Sequence, residues 1–379
     1  MLQERVPATP SRSAIARLLV VAASGMALGG EAVRPAADPP GTRVRPGTSI
    51  DGNAAVGETV SHLVDAGAGQ YVHLTVEPQG VPMRATLLDA SRTVVAEACD
   101  PADDDVPLHL SAIAARTGVH ELKLAVLGGA GRAGRYRLTF DPPRAATPDD
   151  LLRVRAAQAA AAGARLAAED TAESARTALN RYETARELRH RLGERREEAD
   201  ALTGFAGLQF RQGAMREALD AVGAALSLYR TAGDRRGEAT ALADLGAGTS
   251  ATGDARGALA YYDRALPIAH DTGRLGLEGS LLSNIGTVHQ QLGDARTALA
   301  YYERSLPLRR QAGDLGGEST SLANLGVAYR MLGDRGRALA AYEAALPLAR
   351  AAHDVAAESG ALENLGALSL GVGDVERGE

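Results

Sequence analysis

The chain of 379 residues has no tryptophan, three phenylalanines and one cysteine, Cys99, and of its 41 basic residues only Lys123 is lysine. A single thiol excludes an intramolecular disulfide framework and any cysteine-based zinc site. Arginine used almost to the exclusion of lysine, in a chain rich in alanine and glycine, reads as coding bias and not as phosphate recognition. A formal net charge of −6 leaves no basic footprint for nucleic acid. There is no P-loop, no G-x-G-x-x-G at a strand-to-helix turn and no H-E-x-x-H. No enzymatic activity, cofactor or metal is therefore expected. The apolar run Leu18–Leu28 is too short to span a bilayer comfortably, so no stable membrane insertion is expected either.

That run follows Arg5, Arg12 and Arg17 and ends in the small residues Ala27, Leu28, Gly29 and Gly30. A basic start, a short apolar stretch and a small-residue exit fit a secretory signal peptide or leader over residues 1–30. Export to the periplasm or medium is the expectation, with a cytoplasmic location as the alternative. Residues 31–44, rich in proline and glycine, read as a linker.

From residue 45 to 142 the pattern is one of short alternating runs: Glu58–Val64, Tyr71–Val76, Ala85–Leu88, Thr93–Ala96, His120–Val126 and Arg135–Phe140. Turn-rich stretches such as Gly67–Gly69 and Asp89–Ser91 separate them. Period-two runs of this length predict a small antiparallel β-sandwich. The acidic tract Asp100–Asp105 does not have the spacing of an EF-hand loop and reads as a solvated loop. His62, His73, His109 and His120 are scattered along the strands without a ligand pattern. Residues 143–150 read as a second linker.

From residue 151 to the end the chain keeps a 40-residue beat. Leu245-Gly246, Ile285-Gly286, Leu325-Gly326 and Leu365-Gly366 recur in phase, as do Gly253-Asp254, Gly293-Asp294, Gly333-Asp334 and Gly373-Asp374. Tyr262, Tyr302 and Tyr342 keep the same phase, followed by Pro267, Pro307 and Pro347. A period of this size means stacked units, each too small to bury its apolar face alone. In the unit 314–353, Asp314 caps a first helix whose stripe is Leu322, Leu325 and Tyr329. Gly326 on that stripe admits a close partner, Gly333 ends the helix in a left-handed cap, and Asp334 caps a second. The second helix presents Ala338, Leu339, Tyr342, Ala345 and Leu346, and Pro347 should kink or tighten its last turn. Units are expected at 151–193, 194–233, 234–273, 274–313 and 314–353, with a partial one at 354–379. In the 194–233 unit Ala206 replaces the glycine of the stripe.

Leu322, Leu325-Gly326, Tyr329, Ala338, Tyr342 and Ala345 resemble the tetratricopeptide repeat signature in its 40-residue, kinesin-light-chain and LGN-like form. The residues Glu58–Val64, Ala68–Val76, Thr86–Asp89 and Thr117–Leu122 resemble the pre-peptidase type of β-sandwich. The fold expected is thus α+β and multidomain, a small β-sandwich followed by an all-α superhelical solenoid of tetratricopeptide repeats. The order leader, sandwich, repeats resembles the front part of bacterial CHAT-domain proteins, which continue into a caspase-like protease domain. On that resemblance the chain is a non-catalytic recognition part, and a catalytic domain would follow the helix that Asp374 should cap. A cytoplasmic signalling regulator, or a truncated gene product without independent function, is the alternative.

In the resembling families the inner wall of the solenoid holds an extended or helical peptide. Mapped onto this chain, the inner columns are Thr240, Ser280, Thr320 and Gly360, then Asp244, Asn284, Asn324 and Asn364, then Ser250, Gln290, Arg330 and Leu370. An asparagine side chain both donates and accepts, so the asparagine column could pair with a ligand backbone whatever its sequence. The expected partner is a protein or peptide in this groove, with end-to-end self-association through the last helix as a further possibility.

Overall fold

Alternating apolar residues build the first part of the protein. The computed structural model describes residues 41–79, 81–100, 107–127, 134–169 and 171–373. The leader, residues 101–105 of the acidic tract and residues 374–379 lie outside them. Ten strands come first: β1 (Thr42–Arg43), β2 (Thr48–Ala54), β3 (Thr59–Ala66), β4 (Gln70–Gln79), β5 (Met83–Leu88), β6 (Val94–Asp100), β7 (Leu108–Ile113), β8 (Gly118–Val126), β9 (Gly134–Phe140) and β10 (Arg144–Ala145). One sheet has the order β1-β3-β8-β5-β6. The other has the order β10-β4-β9-β2, with β7 also paired to β4. Pairing is antiparallel except for β1, which runs parallel to β3. Inward residues of both sheets, among them Leu74, Leu87, Leu122, Leu124, Leu138 and Phe140, form one fully buried cluster, so the sheets pack face to face as a sandwich.

The run-based reading did not find β2 or β7. β2 contains Asp51, Gly52 and Asn53, residues that sheets disfavour. Gly52 is needed there, because an added Cβ would lie 2.4 Å from the ring of Tyr136 on β9. The stretch 143–150 is ordered structure: β10 pairs with β4, and Thr147 caps the next helix in a capping box with Asp150.

Eleven helices follow among the described residues: α1 (Pro148–Ala167), α2 (Ala172–Leu192), α3 (Arg195–Arg211), α4 (Met215–Ala232), α5 (Arg235–Ala251), α6 (Ala255–Asp271), α7 (Leu275–Gln291), α8 (Ala295–Ala312), α9 (Leu315–Met331), α10 (Arg335–Ala351) and α11 (Val355–Gly373). They make five antiparallel pairs and one further first helix. The chain divides into two compact units, one ending at Asp234 and holding the sandwich with α1–α4, the other beginning at Arg235 and holding α5–α11.

Among the described residues the Gly-Asp pairs act as the sequence implied, and Asp374 lies outside them. Gly333 has φ +80°, and Asp334 accepts a hydrogen bond from the Arg337 amide at 3.0 Å. Asp254, Asp294 and Asp314 cap their helices in the same way. His353 takes the left-handed position with φ +52°, where glycine stands at the preceding turns. One expectation is corrected. Leu339 is not on the buried stripe but 38% exposed. The prolines do not end their helices: α6 and α10 continue four residues beyond Pro267 and Pro347, and α8 five beyond Pro307. Each proline is exposed, and the carbonyls that lose a donor belong to the exposed Asp263, Glu303 and Glu343, which water can satisfy.

The pairs α5–α6, α7–α8 and α9–α10 are each closed by a tyrosine packed on a glycine. A Cβ on Gly246, Gly286 or Gly326 would lie 2.4 Å, 2.6 Å or 2.5 Å from a ring carbon of Tyr262, Tyr302 or Tyr342. In the 194–233 unit the same two positions are Ala206 and Val222, both 1% exposed. The glycine lost there is matched by a smaller partner. Gly326→Ala should therefore destabilise the protein by about 1–3 kcal/mol through overpacking, and adding Tyr342→Val should recover most of that in denaturant unfolding. His353→Gly should stabilise the protein by about 1 kcal/mol in the same measurement, by relieving left-handed strain.

Candidate functional site

The candidate residues lie on the first helices of the α5–α11 unit, and packing divides them into two groups. Positions that face the repeat's own tyrosine or a neighbouring helix are committed to structure. Thr240 is 1% exposed, and its hydroxyl accepts a 2.7 Å hydrogen bond from Arg274. Gln290 accepts from the buried Tyr302 hydroxyl at 3.0 Å, beside Thr287 at 3.2 Å. Burial pushes the Tyr302 hydroxyl up to about 12, against the opposing hydrogen bond of Thr287. It is thus a neutral donor at every ordinary pH. Arg330 stands at the equivalent place below Tyr342, whose pKa is raised by burial and drawn back by that guanidinium. The third column expected as ligand-binding is thus, at Gln290, part of the tyrosine's own hydrogen bonding.

Asp244 is 7% exposed and helps burial to raise the pKa of Tyr262, burial being the larger cause. Its carboxylate therefore sits within the repeat packing and not on an open wall. Ser280 and Thr320 turn their hydroxyls back to the carbonyls of Gly276 and Gly316, both at 2.9 Å. Asn364 donates to the Gly360 carbonyl at 2.8 Å. The side chain of Leu370 lies outside the described residues.

Asn284 and Asn324 differ from all of these. Both are half-buried, one repeat apart on α7 and α9, which touch one another. Among the described residues no hydrogen bond engages either side-chain amide. Two amides with donors and acceptors unspent, held on packed helices, are suited to meeting another chain's peptide groups.

Residues 277–351 match the tetratricopeptide repeat family model. No curated protein matches the chain. Among solved structures, aspartyl phosphate phosphatase F from Bacillus subtilis superposes with a TM-score of 0.50 at 14% identity, over 56% of this chain and 55% of that one. BtubC (BKLC) from P. vanneervenii gives 0.40 at 20% identity, over 55% of this chain and 94% of that one. A kinesin light chain with nearly identical TPR-like repeats from Podosopora anserina gives 0.43 at 13%, over 55% and 99%. Likeness at these identities concerns fold alone.

One regular feature of the tetratricopeptide array escaped the sequence reading. At four of the turns from a second helix to the next first helix, a basic side chain meets a glutamate eight residues on. The pairs are His190–Glu198 at 3.1 Å, His270–Glu278 at 3.2 Å, Arg310–Glu318 at 2.7 Å and Arg350–Glu358 at 2.7 Å. The glutamates sit in a first helical turn and the basic side chains in a last one, so the two arginine pairs also suit both helix dipoles. The 40-residue recurrence of Glu198, Glu278, Glu318 and Glu358 was the signal that could have found them. Structure and ligand roles separate by experiment: Gln290→Ala should cost about 1 kcal/mol by removing the nearer of the two acceptors of the Tyr302 hydroxyl, whereas Asn284→Ala should leave the unfolding midpoint nearly unchanged.

Proposed function

We propose that the chain is a non-catalytic scaffold that holds an extended protein or peptide segment along the first helices of its tetratricopeptide repeats. The observation that carries this reading is the unspent pair Asn284 and Asn324, among neighbours whose polar groups are already used. No dense column of arginines accompanies them, so recognition rests on the ligand's backbone and small side chains. Within this reading we place the chain as the recognition part of an exported, CHAT-type protease. What supports that finer step is the order of a leader-like segment, a β-sandwich and a repeat array. The intact mass of the protein from its own cells tests the finer step. A mass well above 39.2 kDa supports a further domain, and a mass lowered only by loss of a leader rejects it.

The scaffold reading is tested with a library of displayed 15-residue peptides selected on the full chain. Peptides so obtained should bind the Asn284→Ala/Asn324→Ala variant about tenfold or more weakly, which is what two backbone hydrogen bonds of about 1 kcal/mol each would give. The unfolding midpoint should not move. Equal affinity for both proteins would remove the asparagines from the site.

A further inference from the structure

The sheet that holds β4 and β7 is where the sandwich meets α1, through β7. Register places His73 opposite Ser111 and Thr75 opposite His109. His73 and His109 are therefore diagonal neighbours on one face. Their rings stack, with centroids 5.7 Å apart and planes 11° from parallel. His73 also lies parallel to Tyr71, at 6.2 Å, and the guanidinium of Arg144 sits 4.9 Å from the centre of the Tyr71 ring. Small hydroxyls hold the stack from the side. His73 Nδ1 is 2.9 Å from Ser111 Oγ, which is also 2.9 Å from the Tyr71 hydroxyl, and His109 Nδ1 is 3.3 Å from Thr75 Oγ1.

The groups that face this stack are mostly cations. Arg144 comes from β10, Arg153 from α1, Arg189 from the last turn of α2 and Arg196 from the first turn of α3. Most carboxylates nearby are already occupied: Asp150 by Arg144 and Arg153, Glu194 by Arg153 and Arg189, and Asp234 by Arg196. Asp141, just after β9, is the carboxylate whose field favours protonated histidine here. Burial outweighs it. His73 is held below the usual histidine range by burial, and further by Arg153. His109 is pushed down to about 4, by burial first and then by His73, Arg196 and Arg189.

We propose that His73 and His109 form an acid-sensitive latch between the β-sandwich and helices α1–α3. As neutral, stacked rings they let the sheet face close on arginine-bearing helix ends. When protonated they add two cations to Arg144, Arg153, Arg189 and Arg196, and the junction opens. The sign follows from proton linkage. Both histidines bind protons less readily when docked than when free, so docking is at full strength above the free histidine pKa of 6.5 and weakens as pH falls toward about 4. Asp150 does not blunt the response, because Arg144 above all holds its carboxyl far below the usual range and keeps it charged throughout. His109 is exposed on the outer face of the sheet and His73 half-buried, so solvent screens much of the effect. The opened fraction should rise about tenfold between pH 7.5 and pH 4.5.

The test uses the full chain with Cys99→Ala and spin labels on Ser49→Cys in β2 and Glu187→Cys in α2. One narrow distance distribution is expected at pH 7.5, and a second, longer population at pH 4.5. The His73→Gln/His109→Gln variant should keep the narrow distribution at both. Identical distributions at both pH values in the labelled parent overturn the latch, and so does a double variant that broadens as the parent does. If that variant does not fold, ring-proton NMR of the parent decides. Two imidazoles titrating well below 6.5, together with the distance change, uphold the proposal; titration at the ordinary histidine pH overturns it.

Discussion

The contact on which the array depends is a tyrosine ring packed against a helix that has no side chain at that point. Two helices crossing at ordinary distances leave room for aliphatic side chains between them; a whole aromatic ring fits only if one helix contributes nothing but backbone. Gly246, Gly286 and Gly326 supply that bare strip, and Tyr262, Tyr302 and Tyr342, each 2% exposed or less, fill it. Glycine in a helix interior costs about 1 kcal/mol relative to alanine, which burial of a whole tyrosine offsets several times over. Chemical consequences follow. A buried tyrosine brings its hydroxyl inside, and that hydroxyl needs a partner. At Tyr302 the need is met by Thr287 and Gln290, both from the facing first helix.

Much of the polar surface of the first helices is therefore spoken for before any ligand arrives. A second demand comes from the interfaces between successive repeats. Ser283, Ser305 and Ser321 meet there at 3.0–3.4 Å, all buried, where other repeats place Ala243, Ala265 and Ala241. Three hydroxyls brought together satisfy one another and the Gly279 carbonyl; a single one would have been left unpaired, at a cost of about 1–3 kcal/mol. What remains after these internal demands is small, and it includes Asn284 and Asn324. The proposed binding role would thus be a remainder: the polar groups best able to serve a partner are those the scaffold does not consume.

The 40-residue beat made the helices, their caps and their left-handed glycines legible, because each of these depends on contacts within a few residues of chain. The strands with clean alternation were legible for the same reason. β7 was not, although it carries His109 and Ser111, and β2 was not, because its glycine answers to a tyrosine more than 80 residues away. Inner-column assignment was the weakest step. Thr240, Asp244 and Gln290 share their columns with open residues, yet each is drawn into packing by a partner that spacing does not reveal: Arg274 for Thr240, Tyr302 for Gln290, and the surroundings of Tyr262 for Asp244. A column position states which way a residue leaves the helix. It does not state what the residue meets there.

Arg274 shows how one departure from the repeat changes its neighbours. At the other turns of this type the residue is acidic, Glu194, Asp234, Asp314 or Asp354, and Asp314 and Asp354 accept from backbone amides of the helix they begin. An arginine cannot accept, so α7 begins without a side-chain cap. Its guanidinium instead donates to the carbonyl of Arg236 and to the hydroxyl of Thr240, both on α5, and only 3% of the residue is exposed. A local interaction worth about 1 kcal/mol has been exchanged for hydrogen bonds between two first helices, and charged donors make such bonds roughly twice as strong as neutral ones. The exchange ties α5 to α7 at the position where Thr240 would otherwise have been open to a ligand. On the proposed reading the groove would therefore begin at α7, one repeat later than the columns alone imply.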